Sequence, residues 1–236
     1  MKPYLVQTPK FVQRLFPKRI WAFPASENTV YLTFDDGPIP EVTPWVLDLL
    51  KKYKAKATFF CIGDNIQKHP KLFRSIISEG HAIGNHTFNH LNGRKTPINE
   101  YVDNVNKAEE VMSLESKVGS PKSEEQRQSS MLKGVEGSYN VNRKLFRPPY
   151  GKMTSDQASA LYKQGYKIVM WDVLSADFDT SISEEKCLQN VLQHIAPGSV
   201  LVFHDSLKAE KNLRYVLPKV LDYISEKGWN CAPITV

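Results

Sequence analysis

Cysteine is scarce in this chain, long apolar runs are absent, and the motifs of the common nucleophilic hydrolases are missing. The three cysteines, Cys61, Cys187 and Cys231, are odd in number and far apart, which argues against a disulfide framework and predicts buried free thiols. None has a histidine close by in sequence, and no Gly-x-Ser-x-Gly elbow occurs, so acyl-enzyme chemistry on cysteine or serine has little support. No stretch approaches the length needed to span a bilayer. Residues 1–24 carry Lys10, Arg14, Lys18 and Arg19 but neither an uninterrupted apolar core nor a small-residue cleavage site. They do not read as a signal peptide, and the expectation is a cytoplasmic protein. An Arg-rich run, an RNA-binding motif and zinc-finger spacing are also lacking. The net charge of +6, from 31 basic against 25 acidic residues along the sequence, fits a solvated surface, and no nucleic-acid partner is expected.

What the chain does have is length and rhythm. With 236 residues and 41% hydrophobic content, one large core is within reach, and a single α/β domain is expected. Strand-like apolar runs occur at 29–34, 55–62, 81–85, 144–147, 167–173, 199–204 and 229–234. Between them, 41–53, 70–79, 99–114, 154–164, 183–194 and 212–227 carry apolar residues at helical spacing. Strands alternating with helices indicate βαβ units and a parallel sheet. The run Val200-Leu201-Val202-Phe203 suits a strand covered on both faces, as in an open sheet or a closed or distorted barrel. The segment 116–142 breaks the rhythm: rich in Ser, Gly, Lys, Glu and Gln, it reads as a long mobile polar loop.

Chemistry concentrates where these strands end. Thr33-Phe34-Asp35-Asp36-Gly37-Pro38 sets two adjacent carboxylates between an apolar strand and a Gly-Pro break. Asp-Asp-Gly-Pro is good turn chemistry, but two like charges raise each other's proton affinity unless a cation or donor offsets them. His86-Thr87-Phe88-Asn89-His90 follows another strand-like run, and histidines four apart fall on one face of a helical turn. Two imidazoles and a carboxylate are a three-ligand set that suits zinc and leaves a position for water. Strand ends on the same side of a parallel sheet converge, which brings the Asp pair towards the His pair. Arg147-Pro148-Pro149-Tyr150-Gly151 holds a guanidinium on a segment stiffened by two prolines, fit to pair with a carboxylate. His204 ends the most apolar strand, a better place for proton transfer than for packing.

Taken in order, these features resemble the polysaccharide deacetylase family, also called the NodB-homology or carbohydrate esterase family 4 enzymes. The motifs are Thr33-Phe34-Asp35-Asp36-Gly37-Pro38, Glu79 through His90, Phe146-Arg147-Pro148-Pro149-Tyr150-Gly151, and Val202-Phe203-His204-Asp205, with Ala57-Thr58-Phe59-Phe60 after the first helix. A further motif departs from the family's Trp-x-Val-Asp-x-x-Asp-Trp: this chain reads Trp171-Asp172-Val173-Leu174-Ser175-Ala176-Asp177-Phe178, with Leu174 for an Asp and Phe178 for a groove Trp.

The resemblance implies a distorted (β/α)7 barrel of the NodB-homology type, with residues 1–25 as an N-terminal extension and 26–236 as the catalytic domain. It implies that Asp36, His86 and His90 hold one divalent metal ion, zinc first, with cobalt or another divalent ion also admitted. Asp35 is then the general base, His204 the general acid, Arg147 the partner of Asp35, and Asp177, ahead of Asp172, the residue that orients His204. Tyr150, Leu201 and Phe178 are the candidates for substrate or oxyanion contact, although for Tyr150, Leu201 and Trp45 the sequence leaves open groove or core. The expected reaction releases acetate from an N-acetylated sugar of chitooligosaccharide or peptidoglycan type. One alternative keeps the site and turns it on small N-acyl, imide or ureide substrates; another is a non-catalytic, metal-dependent glycan-binding module, which would predict loss of Asp35, Arg147 or His204.

Overall fold

A computed structural model describes residues 4–118 and 144–236. Its centre is β1 (Thr29–Asp35), flanked in parallel by β2 (Thr58–Cys61) on one side and β7 (Val200–His204) on the other. The sheet continues outward through β3 (Ala82–Asn85), β4 (Leu145–Phe146) and β5 (Lys167–Ile168) beyond β2, and through β6 (Val173–Leu174) beyond β7. β8 (Asn230–Cys231) pairs with the beginning of β1. Every pairing between these strands is parallel, and helices surround a distorted barrel.

The helices are α1 (Lys10–Leu15), α2 (Thr43–Lys52), α3 (Gly63–Lys68), α4 (Pro70–Ser78), α5 (Ile98–Val118), α6 (Ser155–Lys163), α7 (Glu184–Leu192) and α8 (Glu210–Glu226). Their starts carry local signals: Pro70 at the first position of α4, a Thr154–Gln157 capping box on α6, and the Ser183 hydroxyl accepting from Lys186 N–H on α7. Phe59, Phe34 and Phe203 stack across β2, β1 and β7 with centroids 5.0 and 5.9 Å apart. They belong to a core closed by apolar residues of α2, α4, α7 and α8, including Val46, Leu50, Phe73, Val191, Leu213, Leu217 and Leu221. This burial makes the middle strands a rigid platform. Cys61 and Cys187 are buried free thiols, and Cys231 is half-buried.

Four features of the structure were not in the sequence reading. The single run at 167–173 divides into β5 and β6, which lie at opposite ends of the sheet order, so residues 169–172 cross the open seam between them. Of residues 1–25, the expected N-terminal extension, the described part from residue 4 lends backbone to that seam. Ile20 N–H bonds to Ile168 C=O and Met170 N–H to Ile20 C=O, Thr8 N–H to Asp172 C=O, Leu174 N–H to Val6 C=O, and Phe23 N–H to Gly198 C=O. Helices α1 and α3 were not expected, because six residues are too few for helical periodicity to register. Of the expected polar loop, residues 116–118 instead complete α5, and 119–142 lie outside the described residues.

Candidate active site

Asp35 and Asp36 close β1, and the chain reverses there because Asp36 adopts φ 79°. Asp205 fixes the turn that follows. Its Oδ1 accepts Gly37 N–H at 3.0 Å and its Oδ2 accepts the Thr43 hydroxyl at 2.6 Å. A Cβ on Gly37 would lie 2.0 Å from Asp205 Oδ2, so no side chain fits there. Burial pushes the Asp205 carboxyl up to about 8, opposed by the Thr43 hydrogen bond.

Asp35 pairs with Phe60 on β2 and with His204 on β7, which puts the carboxylate beside the histidine at matching strand ends. Arg147, fully buried, donates to Asp35 Oδ1 at 2.7 Å, to the Thr33 hydroxyl at 2.6 Å, and to the carbonyls of Met170 at 2.9 Å and Val169 at 3.3 Å. Its guanidinium also lies 4.1 Å from the centre of the Phe60 ring. A buried charge of this kind stays because each of the three guanidinium nitrogens has a partner. Burial lowers the Arg147 pKa and Asp35 raises it again. With Oδ1 taken by the guanidinium, Oδ2 is the Asp35 oxygen available to accept a proton.

The two histidines reach the site by a route the sequence did not indicate. Residues 86–90 form an irregular loop, with Thr87 at φ 64° and His90 at φ 57°, rather than the helical turn expected from four-residue spacing. Helix periodicity fails here because neighbouring segments capture the loop's backbone groups. Gly63 and Asp64, at the start of α3, donate to the Thr87 and Phe88 carbonyls, and Asn104 Oδ1 accepts both Phe88 N–H and Asn89 N–H. Asn85 Oδ1 accepts Thr87 N–H. The rings nevertheless meet, with centroids 5.1 Å apart.

Ligand atoms of Asp36, His86 and His90 all lie within 4.8 Å of one another. His86 donates from Nδ1 to the Arg147 carbonyl at 2.7 Å, so its Nε2 carries a lone pair. Burial holds the His86 pKa down to about 4, which keeps that ring neutral. The bare Nε2 faces Asp36 Oδ1 at 3.7 Å, and His90 Nε2 lies 3.2 Å from the same oxygen. Among the described residues, Asp36 Oδ1 is buried without a hydrogen-bond partner. Burial alone would raise the Asp36 pKa, but the imidazoles of His90, His204 and His86 close by hold it below the usual carboxylate range. An ionised oxygen confronting an imidazole lone pair fits a cation between them, and this donor set suits zinc or a similar divalent ion.

Across the cleft, Asp177 grips His204 twice. Its Oδ1 bonds to the ring Nδ1 at 2.7 Å, and its Oδ2 accepts the His204 backbone N–H at 2.7 Å. Burial disfavours the imidazolium, yet Asp177, with help from Asp36 and Asp35, raises the pKa to about 9. His204 is therefore a charged proton donor at neutral pH. Asp172, the second candidate for orienting it, turns away to the Ser199 hydroxyl and Val200 N–H. Phe178 sits edge-on to His204 with centroids 5.0 Å apart, and Tyr150, at φ 59° and 60% exposed, packs on the His90 ring at 4.6 Å.

Asp35, Asp36, His86, His90, Tyr150, Phe178 and His204 line one cleft of about 700 Å³. Leu201 does not join them. Side chains alternate along β7, so Val202 and His204 face the cleft while Leu201 and Phe203 enter the helix-covered core, where Leu201 is fully buried. Trp45 likewise lies away from the cleft, under the Arg214 guanidinium. Sequence reasoning missed Tyr4, Leu5, Thr8, Val12 and Trp21, the N-terminal part of the cleft wall, and also Trp171 and Lys208. It also gave Asp205 no part, although its place beside His204 in the motif was a signal.

The chain as a whole is similar to known proteins. The family model for polysaccharide deacetylase matches residues 23–169. A peptidoglycan-N-acetylglucosamine deacetylase of Bacillus cereus is 36% identical over 191 residues, 80% of this chain and 61% of that protein, so this chain spans less than two thirds of it. A second Bacillus cereus protein of that name is 30% identical over 218 residues, 91% of this chain and 90% of its own length. The crystal structure of a peptidoglycan N-acetylglucosamine deacetylase in complex with 4-naphthalen-1-yl-N-oxidanyl-benzamide superposes with a TM-score of 0.79 at 31% identity, covering 96% of this chain and 95% of that one. From the Asp pair, the two histidines, the buried arginine and the His204 end of β7 to the match across more than half its length, this chain belongs to the polysaccharide deacetylase family of hydrolases.

Proposed function

We propose that this chain hydrolyses the acetamide of an N-acetylated amino sugar in a glycan of peptidoglycan or chitooligosaccharide type, releasing acetate and a free amine. The observation that carries this reading is that a carboxylate and a histidine whose pKa is raised, Asp35 and His204, stand side by side on β1 and β7 next to three side chains, Asp36, His86 and His90, that could hold a cation. Asp36, His86 and His90 would hold a divalent ion, which when bound supplies a Lewis acid and a water of lowered pKa.

The protein's own groups do the rest. Asp35 Oδ2 takes the proton of the attacking water, and the Arg147 guanidinium on Oδ1 holds that carboxylate in place. Tyr150, whose backbone turns left-handed at the cleft mouth, presents its N–H to the oxygen that gains charge. His204, held by Asp177, passes its Nε2 proton to the departing nitrogen, so that the amine leaves neutral. Phe178 and Trp171 supply apolar wall for a sugar ring. The presence of Asp35, Arg147 and His204 together disfavours a binding-only module.

The test is acetate release from chitooligosaccharides and peptidoglycan fragments by the zinc-loaded protein, with Asp35→Ala as control. Release by the wild type and its loss in the variant are the expected results. Equal release by both, or none from any N-acetylated glycan, would overturn the reading.

A further inference from the structure

The net charge of +6 is unevenly placed. Residues 1–26 contain Lys2, Lys10, Arg14, Lys18 and Arg19 and no acidic residue before Glu27, so five of the six net charges fall there. The same segment leaves large apolar side chains in water: Phe11 is 65% exposed, Leu15 68% and Phe16 38%. Helix α1 buries none of its residues. In Lys-Phe-Val-Gln-Arg-Leu, Phe11 and Leu15 stand four apart on one face, and Lys10 and Arg14 stand four apart beside them. Phe16, Pro17 and Lys18 extend the exposed surface past the helix end, and the Arg19 guanidinium stacks 4.3 Å over the Phe16 ring.

A patch that was only cationic would suit any polyanion, and one that was only apolar would suit a protein partner. Apolar side chains projecting among lysines and arginines fit a lipid interface, where rings enter the acyl boundary and cations meet anionic headgroups. From this juxtaposition we infer that residues 10–18 form a docking surface for an anionic lipid bilayer. The neighbouring residues Leu5, Thr8 and Val12 of the same segment line the cleft, so docking brings the cleft mouth to the membrane surface. The inference stands on exposure and charge and does not depend on the reaction catalysed.

Sedimentation of the full chain with vesicles tests it, using phosphatidylcholine alone and phosphatidylcholine mixed with phosphatidylglycerol. Three exposed cations at an anionic surface imply binding to the mixed vesicles on the order of a hundredfold tighter than to the neutral ones. Phe11→Ser/Leu15→Ser should weaken that binding about tenfold or more, since both apolar contacts are lost. Lys10→Gln/Arg14→Gln/Lys18→Gln should abolish the preference for phosphatidylglycerol. These side chains lie in solvent, so unchanged circular dichroism in both variants checks that the fold survives. Equal binding to both vesicles, or none, overturns the inference. So does binding that Phe11→Ser/Leu15→Ser leaves intact and that soluble polyglutamate competes away, because that outcome identifies a site for polyanions in general.

Discussion

Replacing Asp177 by Asn removes the charge that keeps His204 protonated while nearly preserving its shape. In the wild type the His204 pKa stands at about 9 against 6.5 for a free imidazole, a difference worth about 3 kcal/mol between its two protonation states. Among the groups that raise it, Asp177 comes first, and a cation bound at Asp36 would cancel much of that residue's share. Without Asp177 the largest influence left is burial, which lowers the pKa, opposed only by the weaker pull of Asp36 and Asp35. A general acid works only in its protonated form, so the alkaline limb of kcat/KM for acetate release should descend by about two pH units in Asp177→Asn, a loss of roughly fourfold at pH 7.5 that grows to about tenfold at pH 8. Stability reports the same coupling. Because the folded pKa is raised, the pair's contribution is fully present below about 6.5 and is lost as pH rises towards 9. The urea midpoint of the wild type should fall through that window, and the variant should lack that fall. If Asp177→Asn keeps its alkaline limb where the wild type has it, Asp177 does not set the charge of His204 and the assignment of the acid is wrong.

Three further perturbations probe separate parts of the site. His86→Ala should reduce bound zinc, measured by elemental analysis after dialysis, from about one equivalent to a small fraction; retention near one equivalent would remove His86 from the ligand set. Arg147→Met leaves Asp35 as a buried charge without its partner and should cost about 3–5 kcal/mol in urea denaturation at neutral pH; a loss below about 1 kcal/mol would mean that the pair is not desolvated as its burial implies. Gly37→Ala forces a methyl group into the Asp205 carboxylate, and its unfolding free energy should fall by about 1–3 kcal/mol with activity reduced as the Asp35–Asp36 turn shifts; an unchanged midpoint would show that Asp205 can move aside freely.

The residues that fill the cleft were largely legible because their chemistry is costly anywhere else. Adjacent carboxylates, a histidine ending an apolar strand and an arginine between apolar runs each demand compensation, and at strand ends that compensation becomes a site. The parallel sheet was equally readable from the spacing of runs such as 55–62 and 199–204. Three features left no such trace. Which face Leu201 takes depends on the register of β7 against β1, and shifting the phase by one residue exchanges core for cleft. The loop at 86–90 looked helical because two histidines four apart satisfy helical spacing, whereas its conformation is dictated by donors and acceptors from α3 and Asn104, distant in sequence. The part residues 4–23 play in the seam and the cleft wall follows from main-chain hydrogen bonds, which carry no side-chain signature.

The same long-range control explains where the backbone is strained. Of seven non-glycine residues with positive φ among the described residues, Asp36, Thr87, His90, Tyr150 and Ala176 lie in or next to the cleft. Each such conformation costs about 1–2 kcal/mol, so the site stores strain on the order of the whole stability of a small domain. It persists because neighbouring groups leave each strained residue no alternative. Asn85 and Gly63 hold Thr87 from both sides, Asp205 holds the turn after Asp36, and Ala176 stands between Ser175 and Asp177, whose hydroxyl and carboxylate bond to β7. The clamps are themselves anchored on the phenylalanine stack of β1, β2 and β7, which has no freedom to yield. A rigid sheet therefore bears the cost of loops that would not otherwise hold Asp35, Asp36, the two histidines and His204 within one cleft. Asn85, Asn104 and Asp205, none of which lines the cleft, thus hold in place the loops that carry the residues that do.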